Sequence, residues 1–243
     1  MKKILLICLI FQSIISVSAQ DTTVYHYDQK WKLSKPKKAV YKKQVVSYSD
    51  SAFKIIRSTI DNNIISVGLY KSLNPKIEHG IFKFYDSNGN IQAQGNYKNG
   101  FLDEKWIYKN NHTRLYDTID YTGILELYKN PEKITAKEVY YIVEEMPQFG
   151  NSDEISIKNF QRDVESRTCY PLEAKYDHRY GTILIQFLVG VDGEISSVEL
   201  IRGEDKDLIF EALRVVRDSP QWIPGKQRGE IVNVLFVVPV YFF

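Results

Sequence analysis

Cysteine and long hydrophobic runs are both scarce in this chain of 243 residues. Of the two cysteines, Cys8 lies in an N-terminal segment that we expect to be removed, so the mature chain cannot form an intramolecular disulfide. The longest apolar run, residues 4–15, is shorter than the roughly 20 apolar residues that a membrane-spanning helix needs. Packing must therefore stabilise the mature protein, which we expect to be soluble.

A large excess of charge of either sign is also lacking. The chain has 32 Lys and Arg residues against 30 Asp and Glu, and removal of Lys2 and Lys3 would leave it formally neutral. This balance gives no reason to expect nucleic acid as a partner. Residues 30–43 are the local exception, with seven lysines and no acid. They are either attracted to an anionic surface such as a membrane face or form a solvated linker around Pro36.

The first twenty residues predict export. Two lysines after Met1 and an apolar run precede Val17-Ser18-Ala19, which places small residues at the −3 and −1 positions of a signal-peptidase site. We therefore expect residues 1–19 to be a signal peptide that is cleaved before Gln20, and the mature protein to be periplasmic or otherwise in the cell envelope. The alternative is an uncleaved N-terminal anchor.

Residues 45–134 predict an antiparallel meander of short hairpins, which follows a Lys-rich N-terminal segment over residues 20–44. Alternating apolar and polar stretches, such as 81–85 and 94–97, read as strands. Hairpin-type turn sequences separate them: Asn74-Pro75, Ser87-Asn88-Gly89-Asn90 and Asn99-Gly100.

An aromatic period within this region resembles the MORN-type hairpin repeats. Phe82 and Phe84 recur 24 residues later as Trp106 and Tyr108, and residues 79–100 follow the pattern of one repeat. The second copy is degenerate because Glu104 stands where the repeat has glycine, and we interpret 68–71 and 123–128 as weaker copies. The resemblance, over about residues 65–130, implies an elongated sheet that buries its aromatic face by stacking neighbouring repeats.

Residues 135–243 change to mixed helix and strand, so the fold class is predicted as α+β. After an acidic, proline-broken joint at 144–149, the predicted order is α-β-β-α-β. The first helix is capped by Ser152-Asp153-Glu154 and ends near Arg167. The later elements are strands at 181–189 and 195–201, an amphipathic helix at 205–218 and a last strand at 231–238.

The same region resembles the C-terminal domain of TonB. Glu144-Glu145-Met146-Pro147-Gln148-Phe149 looks like its opening, and the family's later motifs follow in order to residue 243. The residues that carry those motifs are Tyr170, Pro171, Gly193, Pro220, Trp222, Pro224 and Gly225.

This resemblance implies a binding module. TonB-family domains bind the TonB box of outer-membrane receptors, an extended peptide that adds as a strand to the edge of a sheet. The last strand offers the candidate edge residues Ile231, Val232, Asn233, Val234, Leu235 and Phe236, although an apolar run of this kind is also typical of a core strand. A cleavable leader and a tyrosine-rich domain differ from a TonB transducer, so energy-dependent transport across the outer membrane remains one possibility. The alternative is a structural envelope scaffold that is unrelated to transport.

No pattern in the sequence indicates catalytic chemistry. Cys169 and His178 are nine residues apart, but Cys169 is more simply interpreted as a small apolar residue beside Tyr170. The histidines lack metal-ligand spacing, and no nucleophile motif or phosphate-binding loop is present. We therefore predict no catalytic residue, no cofactor, no metal site and no small-molecule substrate. The third and weakest hypothesis is an enzyme that holds a glycan on the aromatic N-terminal face.

Overall fold

A computed structural model describes residues 21–109, 115–150 and 156–243. The signal peptide with its cleavage site, and the predicted helix cap at 152–154, lie outside these residues. Within them, no helix is both long and apolar enough to cross a bilayer.

The N-terminal part is one antiparallel sheet of eight strands, in which each strand pairs with the next along the chain. Its strands are β1 (Asp21–Tyr27), β2 (Tyr41–Ser49), β3 (Ala52–Thr59), β4 (Ile64–Leu73), β5 (Lys76–Tyr85), β6 (Ile91–Lys98), β7 (Phe101–Lys109) and β8 (Tyr116–Asp120). The predicted meander is confirmed, and so are its three turns. The sheet begins earlier than expected, because β1 lies within the segment that we assigned to a Lys-rich N-terminal extension.

Local backbone geometry explains the tightest of these hairpins. Asn99 and Gly100 have φ values of 51° and 86°. A two-residue turn with both central residues in the left-handed region matches the twist of the strands that it joins, and Asn-Gly adopts this conformation at low cost. The turn therefore fixes the register of β6 against β7.

The regularly spaced aromatic residues form the inner face of this sheet. Phe82, Tyr97 and Trp106 are almost completely buried there. Two of these rings lie across glycines on the neighbouring strand: a Cβ on Gly68 would be 2.3 Å from the Phe82 ring, and one on Gly95 would be 2.1 Å from the Trp106 ring. The glycines are therefore required because the rings occupy the space of a side chain.

The C-terminal part contains four helices and two smaller sheets. Its elements are α1 (Ile124–Lys129), α2 (Ser156–Arg167), α3 (Leu172–Tyr176), β9 (Gly181–Val189), β10 (Ile195–Arg202), α4 (Lys206–Arg217), β11 (Gly225–Gln227), β12 (Glu230–Val232) and β13 (Val234–Phe242). Strands β10, β9 and β13 form an antiparallel sheet in that order, and β11 pairs with β12. The chain is α+β, as predicted. Helix α3 and the β11–β12 hairpin were not predicted. The weak repeat copy expected at 123–128 is wrong, because Gly123 caps α1 and residues 124–128 lie in that helix.

Helix α4 is buried on both sides. Its apolar side packs on β9 and β10, as an amphipathic helix should. Its polar side is not in water, because Asp207, Glu211 and Arg214 are also buried. The N-terminal part covers this polar side: β7 contacts α4, and the hydroxyl of Tyr121, the residue after β8, donates to Glu211 at 2.7 Å. One continuous hydrophobic core therefore joins the eight-stranded sheet to the C-terminal elements.

Helix α3 contributes a buried carboxylate to the same interface. Glu173 accepts two hydrogen bonds from the Arg57 guanidinium, both at 3.0 Å, one from the Tyr70 hydroxyl at 2.6 Å and one from the Lys76 ammonium at 2.8 Å. Burial alone would raise the pKa of Glu173, but the charges of Arg57 and Lys76 outweigh it and hold that pKa well below its usual range. Glu173 is therefore ionised and ties α3 to β3, β4 and β5.

Candidate partner-binding edge

The last strand differs from its predicted bounds. Ile231 and Val232 belong to β12, which pairs with β11, and Asn233 lies between strands. Val234, Leu235 and Phe236 are in β13, which continues to Phe242. The predicted single strand over 231–238 was therefore wrong at both ends, because an apolar run does not show where the chain changes its pairing partner.

Strand β13 continues through Pro239 because of its position in the sheet. It pairs with β9 along its whole length and is the edge strand of its sheet. Proline cannot donate a ladder hydrogen bond, so within sheets it is tolerated where the backbone N–H would point away from a partner strand. Pro239 fits this rule only if its nitrogen faces the outer side of β13.

The bridge to Tyr140 shows which backbone groups face outward. The Leu235 N–H donates to the Tyr140 carbonyl at 2.8 Å, and the Tyr140 N–H donates to the Asn233 carbonyl at 3.0 Å. Both contacts lie on the side of β13 opposite to β9. Because backbone groups alternate along a strand, Val237, Pro239 and Tyr241 face the same outer side. Tyr140 thus occupies the first position of this edge.

Beyond Tyr140 the edge is open. In the described parts of the chain, no strand pairs with the outer side of β13 at Val237, Pro239 or Tyr241. Two N–H donors, on Val237 and Tyr241, and the carbonyls of all three residues are therefore available to another strand. The Val237 and Tyr241 side chains are 47% and 39% exposed, whereas Val238, Val240 and Phe242 are buried. The strand buries one face in the core and leaves its edge accessible.

Trp222 lies where the sheet and the helices meet. Its side chain is almost completely buried, at 3% exposure. The ring lies 5.0 Å from Phe160 of α2, 5.9 Å from Phe187 of β9 and 5.4 Å from Phe236 of β13, measured between ring centroids. Phe149 of the acidic joint covers it at 5.1 Å. Trp222 therefore connects the edge strand to its support.

The remaining motif residues position this tryptophan and the joint. Gly193 has a φ of 79°, and a Cβ there would lie 2.0 Å from the Trp222 carbonyl oxygen. Gly225 lies against the joint, where a Cβ would be 2.8 Å from Pro147. Pro220 and Pro224 flank Trp222 in the segment between α4 and β11. The joint also pairs with this segment, because Gln148 and Ile223 exchange backbone hydrogen bonds at 2.8–2.9 Å.

Tyr170 and Pro171 stabilise the far end of β13 and the start of α3. The Tyr170 hydroxyl donates to the Arg179 carbonyl at 2.6 Å, and its ring packs edge-on against Phe242 at 5.6 Å. Pro171 is the residue that precedes α3. Neighbouring Cys169 is largely buried, and burial raises the pKa of its thiol. Its thiolate is therefore disfavoured at neutral pH, which fits the packing role that we predicted.

The comparisons with known proteins bear on this C-terminal part. Searches of curated proteins and of solved structures each found no significant match. No family model matched the MORN-type region in residues 65–130. Residues 166–243, from the end of α2 through β13, match the family model described as "Gram-negative bacterial TonB protein C-terminal".

Proposed function

We propose that this protein acts in the cell envelope by binding an extended peptide of a partner protein, which adds as a strand to the outer side of β13. The observation that carries the proposal is the open edge at Val237, Pro239 and Tyr241 in a segment that matches a TonB C-terminal family model. Main-chain hydrogen bonds supply affinity in this binding mode, and side-chain contacts supply specificity. The partner that fits the family match is the TonB box of an outer-membrane receptor.

The geometry of β13 restricts what such a peptide does. Tyr140 already pairs with residues 233–235, so an added strand starts beyond it, at Val237. Pro239 offers a carbonyl but no N–H, so the central position of the edge only accepts hydrogen bonds. Alternate side chains of the peptide would lie beside the exposed Val237 and Tyr241. We therefore expect a preference for apolar side chains at every second peptide position.

A structural envelope scaffold remains the second candidate. The eight-stranded sheet forms a large part of the chain and lies outside the family match. Its face away from the core carries partly exposed apolar side chains, among them Ile81 and Leu69. We infer that the part of this region that forms strands, residues 65–109, consists of degenerate MORN-type repeats, supported by the two pairs in which an aromatic ring covers a glycine. A scaffold would bind partners through this sheet and would not need the β13 edge.

Val237→Pro tests the proposal. The substitution removes an outward N–H without removing a hydrogen bond to β9, so the protein should fold while its affinity for a synthetic receptor TonB-box peptide falls about tenfold. Loss of one backbone hydrogen bond and the bulk of the ring at the edge both contribute. Fluorescence anisotropy with the labelled peptide measures the affinity.

Val237→Ala is the matched control, because it changes the same side chain but retains the N–H; it should bind within about twofold of the wild type. A Val237→Pro variant with a normal thermal melt and an unchanged affinity for the peptide would contradict the proposal. If that variant does not fold, Tyr241→Pro tests the second outward donor in the same way.

A further inference from the structure

The connection between β1 and β2, residues 28–40, is an exposed basic surface that the proposed function does not use. Five of its lysines are exposed: Lys30, Lys32, Lys35, Lys37 and Lys38. In the described residues none of these ammonium groups takes part in a hydrogen bond or an ion pair. The one acid of the connection, Asp28, accepts backbone hydrogen bonds from Lys30 and Lys32 at 2.8 and 3.0 Å. It therefore organises a turn and does not pair with a lysine side chain.

This basic loop is held in place on the sheet. Trp31 stacks on Tyr41 of β2, with ring centroids 4.5 Å apart and planes 3° from parallel. Ser34 donates its backbone N–H to the His26 carbonyl of β1 at 2.9 Å, and residues 36–38 form one turn of 3₁₀ helix. The lysines are therefore presented on an ordered platform, so a partner loses less affinity to the ordering of this segment.

An apolar side chain lies within the same surface. Leu33 is 74% exposed and stands between the lysines at 32 and 35. Lysine ammonium groups are compact, hydrated point charges that suit a diffuse layer of anionic headgroups. The loop has no arginine for bidentate recognition of a single phosphate, and its one aromatic ring is stacked on Tyr41 and is not free to stack on a nucleobase. Lysines around an exposed leucine match a bilayer surface better than nucleic acid.

We propose that the β1–β2 connection is a membrane-docking loop, which binds the surface of a bilayer rich in anionic phospholipid while Leu33 enters the boundary between headgroups and acyl chains. Each lysine near an anionic leaflet strengthens binding about fivefold. The interaction weakens with added salt because the charges are exposed. It involves none of the residues of β13, so it is independent of strand addition.

Co-sedimentation with vesicles tests this inference, using the protein purified from the periplasmic fraction. Wild type should bind vesicles of phosphatidylglycerol and phosphatidylcholine at low salt, and should not bind phosphatidylcholine alone. The variant Lys35→Glu/Lys37→Glu/Lys38→Glu should bind at least tenfold more weakly, and Leu33→Ser several-fold more weakly. All variants carry the wild-type N terminus, so any difference in vesicle binding arises from the substitutions in the loop.

The matched control is Lys129→Glu/Lys133→Glu/Lys137→Glu, which makes the same charge change at three exposed lysines spread over nine residues that also contain Glu132. It should bind the anionic vesicles within about twofold of the wild type. Equal binding by the loop variant and the wild type would overturn the inference. An equal loss of binding in both triple variants, or equal binding of the wild type to neutral and anionic vesicles, would also overturn it. Absence of wild-type binding to anionic vesicles would overturn it too, and is the result expected if the loop instead binds an acidic protein.

Discussion

Replacing Glu173 by alanine is expected to lower the free energy of unfolding by about 3–5 kcal/mol, the usual result of removing one partner from a buried ion pair. Arg57 would lose both of its hydrogen bonds to Glu173 and Lys76 would lose one, while the Arg57 side chain stays 95% inaccessible to water. Arg57 would keep its ion pair with Asp177 at 2.9 Å. The cost is still large because Asp177 is partly exposed and a single carboxylate compensates the buried guanidinium poorly. Chemical denaturation measured by circular dichroism would detect it.

Two further variants separate charge from packing. Glu165→Ala removes an exposed glutamate from α2 and should change the stability by less than about 0.5 kcal/mol. The double variant Arg57→Met/Glu173→Leu removes both charges of the central pair and should recover much of the loss, because a buried pair and an apolar pair of similar volume are often close in stability. A loss below about 1 kcal/mol for Glu173→Ala would show that the carboxylate does not tie α3 to the N-terminal sheet.

Trp222→Ala is expected to cost about 3–5 kcal/mol, as truncation of a large buried aromatic side chain usually does. Phe149, Phe160, Phe187 and Phe236 all contact this ring, so its removal opens a cavity between helix, joint and sheet. The substitution should also weaken peptide binding, since Phe236 of β13 loses its support. The midpoint of denaturant unfolding measures the first effect.

The adjacent residue supplies the control for this prediction. Ile223 is 54% exposed, and Ile223→Ala should therefore change the stability by well under 1 kcal/mol. If Trp222→Ala unfolds at the same denaturant concentration as Ile223→Ala, the aromatic cluster does not stabilise the sheet as we describe.

Local sequence was a good guide to the N-terminal sheet. Alternation of polar and apolar residues sets the strand period, and Asn99-Gly100 determines a turn through its own backbone preferences. These are short-range effects. Helix α4 shows where such reasoning ends: Glu211 and Arg214 look solvent-facing in a helical pattern, yet both are buried. Tyr121, which binds Glu211, lies 90 positions away in the sequence.

The candidate edge was predicted only in outline, for a similar reason. We predicted that the final strand ends before Pro239, which would be correct for a central strand, because proline breaks the ladder of hydrogen bonds there. An edge strand tolerates proline if its nitrogen points outward, and only the pairing of β13 with β9 alone reveals that position. Likewise, the strands separate at Asn233, where the chain changes its pairing partner from β11 to β9, and the Asn233 carbonyl accepts from Tyr140, which is far away in the sequence. Neither contact leaves a local signature in the sequence.

Hydrogen exchange at the β13 edge tests the central claim most directly. Backbone amide exchange, resolved by residue, would be followed with and without a saturating receptor TonB-box peptide. Strand addition predicts that the Val237 and Tyr241 amides, which face outward and are unpaired in the free protein, slow at least tenfold, while the exposed turn amide of Val191 is unchanged. Tight peptide binding that leaves both edge amides at their free rates, with protection on β8 or β10 instead, would contradict the account.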